Sequence, residues 1–100
     1  MTQTADAYIE TIKEVVLAGL SDEDVSIALF GSMANRKVQR ASDVDVAIVP
    51  RDGLERRKLV LLRERLENLN IPYNVELVDF SFVSGKFREV ALQTVIWWRK

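Results

Sequence analysis

The segment Asp43-Val44-Asp45-Val46-Ala47-Ile48-Val49 constrains the fold of this chain more than any other. It alternates as a β-strand does, with Val44, Val46 and Ile48 on one side and Asp43, Asp45, Ala47 and Val49 on the other. A strand with a solvated face stays polar along that whole face. Here the polar side turns apolar after Asp45, so both faces are covered from Ala47 onward. A strand buried on both faces belongs to a layered domain, with helices packed against a sheet.

The rest of the chain supplies those layers. Tyr8, Ile9, Ile12, Val15, Val16, Gly19 and Leu20 recur at helical spacing, which predicts an amphipathic helix near 5–20. Ser21 to Asp24 is a polar break, and Val25 to Phe30 reads as a short buried strand ending at Gly31-Ser32. Residues 33–41 read as a short helix or turn. Pro50 and Gly53 close the strand at 43–49, and Leu59, Leu62, Leu66 and Leu69 stripe a helix over about 54–69. Asn74 to Phe80 is a third strand. Ser84 is placed to cap a last helix whose inner face is Phe87, Val90, Ala91, Val95 and Trp98. The expected architecture is α/β (α+β), a short mixed β-sheet packed by about four helices, in a single domain over 1–100.

Composition narrows the chemistry. The chain has no Cys and no His, which removes thiolate catalysis, disulfides, the commonest general base and the commonest zinc ligand. Any metal must be a hard ion held by oxygen. Fourteen basic against fifteen acidic residues give a net charge of −1, which argues against direct nucleic-acid binding of the strongly basic kind. Residues 1–50 carry four basic and eight acidic side chains (4 − 8 = −4), and residues 51–100 carry ten and seven (10 − 7 = +3). No apolar run approaches the ~18 residues of a membrane span, and Met1 is not followed by a signal-peptide pattern, so a cytoplasmic protein is expected.

Two carboxylates on one side of a strand, Cβ atoms roughly 7 Å apart, repel each other unless a cation sits between them. Mg²⁺ is the natural candidate, since one or two carboxylates and substrate phosphates ordinarily hold it. Gly31-Ser32 follows a strand directly, and such a turn can aim backbone N–H groups at a phosphate. Arg36, Lys37 and Arg40 lie between this turn and the carboxylates, where cations can neutralise phosphate charge. In the third strand Glu76 shares a side with Asn74, Val78 and Phe80, polar first and apolar afterwards, whereas Asp79 lies on the other side. Parity favours Glu76 over Asp79 as a third metal-site carboxylate. Together these groups suggest metal-assisted phosphoryl or nucleotidyl transfer.

Each feature also has a plainer explanation. Asp43 and Asp45 read alone are a solvated strand start, Gly31-Ser32 alone an ordinary turn, and Glu76 an exposed strand acid. Arg51, Arg56, Arg57, Lys58, Arg63 and Arg65 read as a solvated face or as a docking surface for an acidic partner or RNA-bound complex. Trp97 and Trp98, adjacent on the expected last helix, cannot both face one core, so one is expected inside and one partly exposed.

Gly31-Ser32, ten intervening residues and Asp43-Val44-Asp45 resemble the G-S-x10-D-x-D motif of the DNA polymerase β-type nucleotidyltransferase superfamily. The wider string GSMANRKVQRASDVDVAIV resembles its small stand-alone members, the minimal nucleotidyltransferase (MNT) domains. The resemblance covers essentially the whole chain. It implies the nucleotidyltransferase fold, Asp43, Asp45 and Glu76 as metal-binding and catalytic positions, and Gly31, Ser32, Arg36 and Lys37 as nucleotide-binding positions. It implies two Mg²⁺ ions, ATP as substrate, and transfer of AMP to a hydroxyl. It further implies a role as the antitoxin of a toxin–antitoxin pair, with a small helical HEPN-domain toxin as partner and one of its tyrosines as acceptor. Members commonly read G-S-R-A-R-G, whereas this chain has Met33, Asn35 and Arg36 at the departing positions. The competing expectation is a binding module that neutralises its partner by complex formation, and homo- and hetero-oligomers both stay open.

Overall fold

The computed structural model describes residues 5–31 and 43–100. Helix α1 (Ala5–Gly19) leads into β1 (Val25–Phe30). Then follow β2 (Asp43–Pro50), α2 (Arg56–Glu67), β3 (Asn74–Asp79), α3 (Gly85–Ala91) and β4 (Ile96–Arg99). The four strands form one sheet in the order β3-β2-β1-β4. β1 runs antiparallel to both β2 and β4, and β2 runs parallel to β3, so the sheet is mixed. The short helix or turn expected over 33–41 lies outside the described residues. Three helices are seen among the described residues.

The alternation in β2 divides the molecule. Val44, Val46 and Ile48 are fully buried against Ile12, Val16 and Leu20 of the α1 region and Leu59, Leu62 and Leu66 of α2. The leucine stripe of α2 is therefore its inner face. α1 and α2 meet closely at Gly19, where a Cβ would sit 2.7 Å from Leu62 Cδ1. The opposite face of the sheet holds a smaller cluster, Ala28, Phe30, Ala47 and Phe80. The cross-strand pair Ala28–Ala47 leaves a depression that aromatic rings fill. Phe30 and Phe80 meet edge-on at 5.3 Å, and Phe87 of α3 joins them at 6.5 and 6.0 Å. Ser84 caps α3 as expected, its Oγ accepting the Phe87 N–H at 3.1 Å.

The C-terminal third departs from the sequence expectation. The helix beginning after Ser84 ends at Ala91, and Ile96–Arg99 is an edge strand paired with β1. Apolar residues at 87, 90, 91, 95 and 98 fit a helical period, but Thr94-Val95-Ile96-Trp97-Trp98 is a run of β-branched and aromatic residues. The open edge of β1 offers unpaired backbone groups, and pairing there prevails over the helical spacing. Val90, placed by the helical reading on the inner face, is instead exposed. The tryptophans do divide, through strand alternation: Trp98 packs on the α1/α2 side, and Trp97 is exposed on the other. Arg99 secures the strand by donating to the carbonyls of Leu20 and Glu23, both at 2.8 Å, beyond the C-terminal end of α1.

The cations around α2 have mixed duties. Lys58 bonds Asp22 at 3.0 Å and Glu23 at 3.3 Å, and Arg63 donates to the Leu77 carbonyl of β3 at 2.8 Å. The Lys58 contact holds the Asp22 carboxyl below its ordinary value, chiefly through that hydrogen bond. Arg56, Arg57 and Arg65 are exposed. No helix among the described residues is long and apolar enough to cross a membrane.

Candidate active site

The parallel register of β2 and β3 pairs Asp43 with Asn74 and Asp45 with Glu76. All four side chains emerge on the face of the sheet that carries Ala28, Phe30 and Ala47. The two aspartates thus stand on one surface, with Glu76 on the adjacent strand at the level of Asp45. On its other side Asp45 is the cross-strand partner of Phe30, the residue before Gly31. The glycine corner and the carboxylates therefore share one end of the sheet.

The contact between corner and carboxylate is close. Gly31 has φ +77°, a conformation that glycine adopts freely and other residues rarely do. A Cβ at this position would stand 2.5 Å from Asp45 Oδ2. Glycine suits this corner twice over: the turn takes a positive φ, and a Cβ would push the Asp45 carboxylate aside. The other residues expected at this corner, Ser32, Arg36 and Lys37, lie outside the described residues.

Burial and neighbours set the electrostatics. The Asp45 carboxyl is pushed above its ordinary value, first by burial, then by the Glu76 and Asp43 charges. Asp43 and Glu76 are exposed, and Asp45 is half-buried between them. Asn74 donates its side-chain amide to Asp43 Oδ1 at 3.4 Å, a positioning contact that sequence reasoning did not single out. Its only signal was that Asn74 shares the strand parity of Glu76. Asp79 serves the backbone instead. Its Oδ1 accepts the Ser81 N–H at 2.8 Å and shapes the turn after β3.

Among the described residues no three His, Cys, Asp or Glu side chains converge tightly enough to hold a metal ion as a closed cluster. The trio is spread along β2 and across to β3. Its chemistry nevertheless suits a hard divalent cation: every donor is oxygen, the charges share one sign, and the central carboxyl resists ionisation because it is half-buried among acidic neighbours.

The polymerase beta, nucleotidyltransferase family matches over residues 10–98. The chain belongs to that family. It is 31% identical over 67 residues to the probable protein adenylyltransferase MntA of Haemophilus influenzae, covering 67% of this chain and 59% of that relative. It thus spans less than two thirds of that relative's length. Among solved structures it is similar to a toxin–antitoxin crystallised with AMP-PNP, with TM-score 0.66 and 24% identity over 86% of this chain and 71% of the other. It is also similar to a Shewanella oneidensis complex of a tri-AMPylated HEPN toxin with an MNT antitoxin, with TM-score 0.62 and 21% identity over 89% and 70%. At these identities the likeness is one of fold. The nucleotidyltransferase fold and the mixed sheet are as the sequence led us to expect.

Proposed function

We propose that this protein is a Mg²⁺-dependent nucleotidyltransferase that acts as an antitoxin, moving AMP from ATP to a hydroxyl of a HEPN-domain toxin, with tyrosine as acceptor. The observation that carries this reading is the register Asp45–Glu76 beside Gly31, with Asp43 on the same face. The similarity to a probable protein adenylyltransferase supports the reaction class. The relative crystallised with a tri-AMPylated HEPN toxin supports the acceptor class. A cytoplasmic location accords with this role.

In this reading Asp43, Asp45 and Glu76 hold the metal, and Gly31 with Ser32 receives the triphosphate while Arg36 and Lys37 balance its charge. Bound Mg²⁺ supplies charge neutralisation of the phosphates and activation of the attacking hydroxyl. Asp45, set lowest in the site against Gly31, fixes the carboxylate end of the cradle. The acceptor oxygen bonds to the α-phosphorus, and the bond from that phosphorus to the oxygen bridging it to the β-phosphate breaks. Pyrophosphate leaves, and the hydroxyl proton passes to a carboxylate of the trio. Asn74 keeps Asp43 turned toward the site through its amide.

A second reading is neutralisation by complex formation. It is favoured by exposed Phe82, Phe87 and Val90 next to the thinner core face, an apolar surface of the kind that partners cover. One experiment separates the two. The protein is incubated with α-labelled ATP, Mg²⁺ and the product of its neighbouring gene. Transferase action predicts label on that product, absent with Asp43→Asn/Asp45→Asn. An intact complex without label, and protection of cells by the double variant, defeats it.

A further inference from the structure

At the far end of the same sheet face, away from the carboxylates, lies an open cavity of about 550 Å³ lined by Ser26, Pro50, Arg51, Arg88, Leu92 and Trp97. Ser26 and its cross-strand partner Val49 stand four residues along the strands from Phe30 and Asp45, roughly 13 Å away at ~3.3 Å per residue. The Phe30–Phe80–Phe87 cluster stands between the two places. This cavity plays no part in the transfer described above.

Its lining is built for a particular chemistry. Arg51 is held by two partners, donating to Asp24 Oδ1 at 3.1 Å and to Ser26 Oγ at 3.0 Å. That leaves part of its donor fork unspent, because a guanidinium carries five N–H groups. Ser26 is 9% exposed; its oxygen accepts from Arg51, so its own proton remains available to an incoming acceptor. Arg88 projects from α3, exposed, with no hydrogen-bond or ion-pair partner for its guanidinium among the described residues. Trp97, 36% exposed as a residue, contributes its indole, with Lys100 Nζ 5.7 Å from the ring centroid. Asp24 is the carboxylate paired there, against the cations Arg51, Arg88 and Lys100. Pro50 and Leu92 add apolar wall.

Two guanidinia and a buried hydroxyl recognise a tetrahedral oxyanion, and an adjoining indole face recognises a planar ring. We infer that this cavity is a second ligand site, taking a mononucleotide: phosphate on Arg51, Arg88 and Ser26, and base against Trp97. The site stands apart from the carboxylates, so its occupancy does not depend on their role.

The test uses the whole protein without divalent cation and follows the indole N–H resonances of its two tryptophans, assigned with Trp97→Phe. AMP, inorganic phosphate and adenosine are titrated separately. AMP is expected to shift the Trp97 resonance saturably, with phosphate and adenosine each at least about tenfold weaker. Arg88→Ala, at an exposed position, is expected to weaken AMP about tenfold or more. Asp43→Asn/Asp45→Asn is expected to leave the Trp97 response within about twofold, additivity holding for sites this far apart. The inference is overturned if no ligand gives a saturable Trp97 response, or if the response survives Arg88→Ala and vanishes in the double aspartate variant. Phosphate binding as tightly as AMP overturns the role given to the ring.

Discussion

The two faces of one sheet do different work in this molecule. Against α1 and α2 the strands present mainly aliphatic side chains, joined by Trp98 of β4, and the aliphatic cluster there is buried nearly to exclusion of water. On the other face the core shrinks to Ala28, Phe30, Ala47 and Phe80, with acids at one end and a cationic, aromatic cavity at the other. Odd and even residues of the same strand, β2, are split between these roles. Because neighbouring side chains on a strand point to opposite sides, one segment can anchor the fold with Val44, Val46 and Ile48 while standing Asp43 and Asp45 together on the other face. Like charges crowded at a site cost stability, and the aliphatic face offsets that cost.

The comparison breaks most sharply if the aliphatic face proves dispensable. Leu62→Ala is expected to cost about 2–5 kcal/mol, because Leu62 is almost fully buried and packs against Gly19. Urea denaturation monitored by circular dichroism measures it. Gly31→Ala comes next, with a loss of about 1–2 kcal/mol from the positive φ alone. Its effect on any transfer activity should be disproportionately larger, since the new methyl group displaces the Asp45 carboxylate. Comparing melting with labelled-AMP transfer separates the two.

A third prediction has the opposite sign. The Asp45 carboxyl is raised by burial, Glu76 and Asp43, so the folded state holds its proton to higher pH than the unfolded chain does. Stability from this group is therefore full below the unfolded value of 3.8 and falls as pH rises through the folded value. Asp45→Asn should raise the melting temperature at neutral pH, with the gain disappearing as pH drops below the unfolded value. A drop at pH 7 would mean that Asp45 contributes a favourable contact. Smallest of all, Val90→Ser on α3 should alter stability by no more than about 0.5 kcal/mol, because Val90 is 59% exposed. A loss near that of Leu62→Ala would show that the second face is as tightly packed as the first.

The last helix shows where sequence patterns stop. Phe87, Val90, Ala91, Val95 and Trp98 satisfy a helical period, yet the chain breaks after Ala91 and Ile96 to Arg99 become a strand. Spacing over so short a stretch does not separate a helix from a turn followed by a strand. The carboxylates were easier to read, because the alternation at 43–49 changes character partway and forces Asp43 and Asp45 onto one side. The preference for Glu76 over Asp79 came from parity within a single strand. Its setting beside Asp45 needed the register between two strands, which no local pattern contains.

Local order, then, was written in the chain itself: three of the strands, the leucine face of α2, the cap at Ser84, the glycine corner and the pairing of Asp43 with Asp45 on one side. These follow from side-chain periodicity and backbone preference, which act over a few residues. Tertiary structure alone decided that β4 fills the open edge of β1, that Asn74 reaches Asp43, that Gly31 gives Asp45 its room, and that Arg51, Arg88 and Trp97 meet around one cavity. Those contacts join residues distant in sequence, and their energies depend on which backbone groups and surfaces remain unpaired once the sheet has formed.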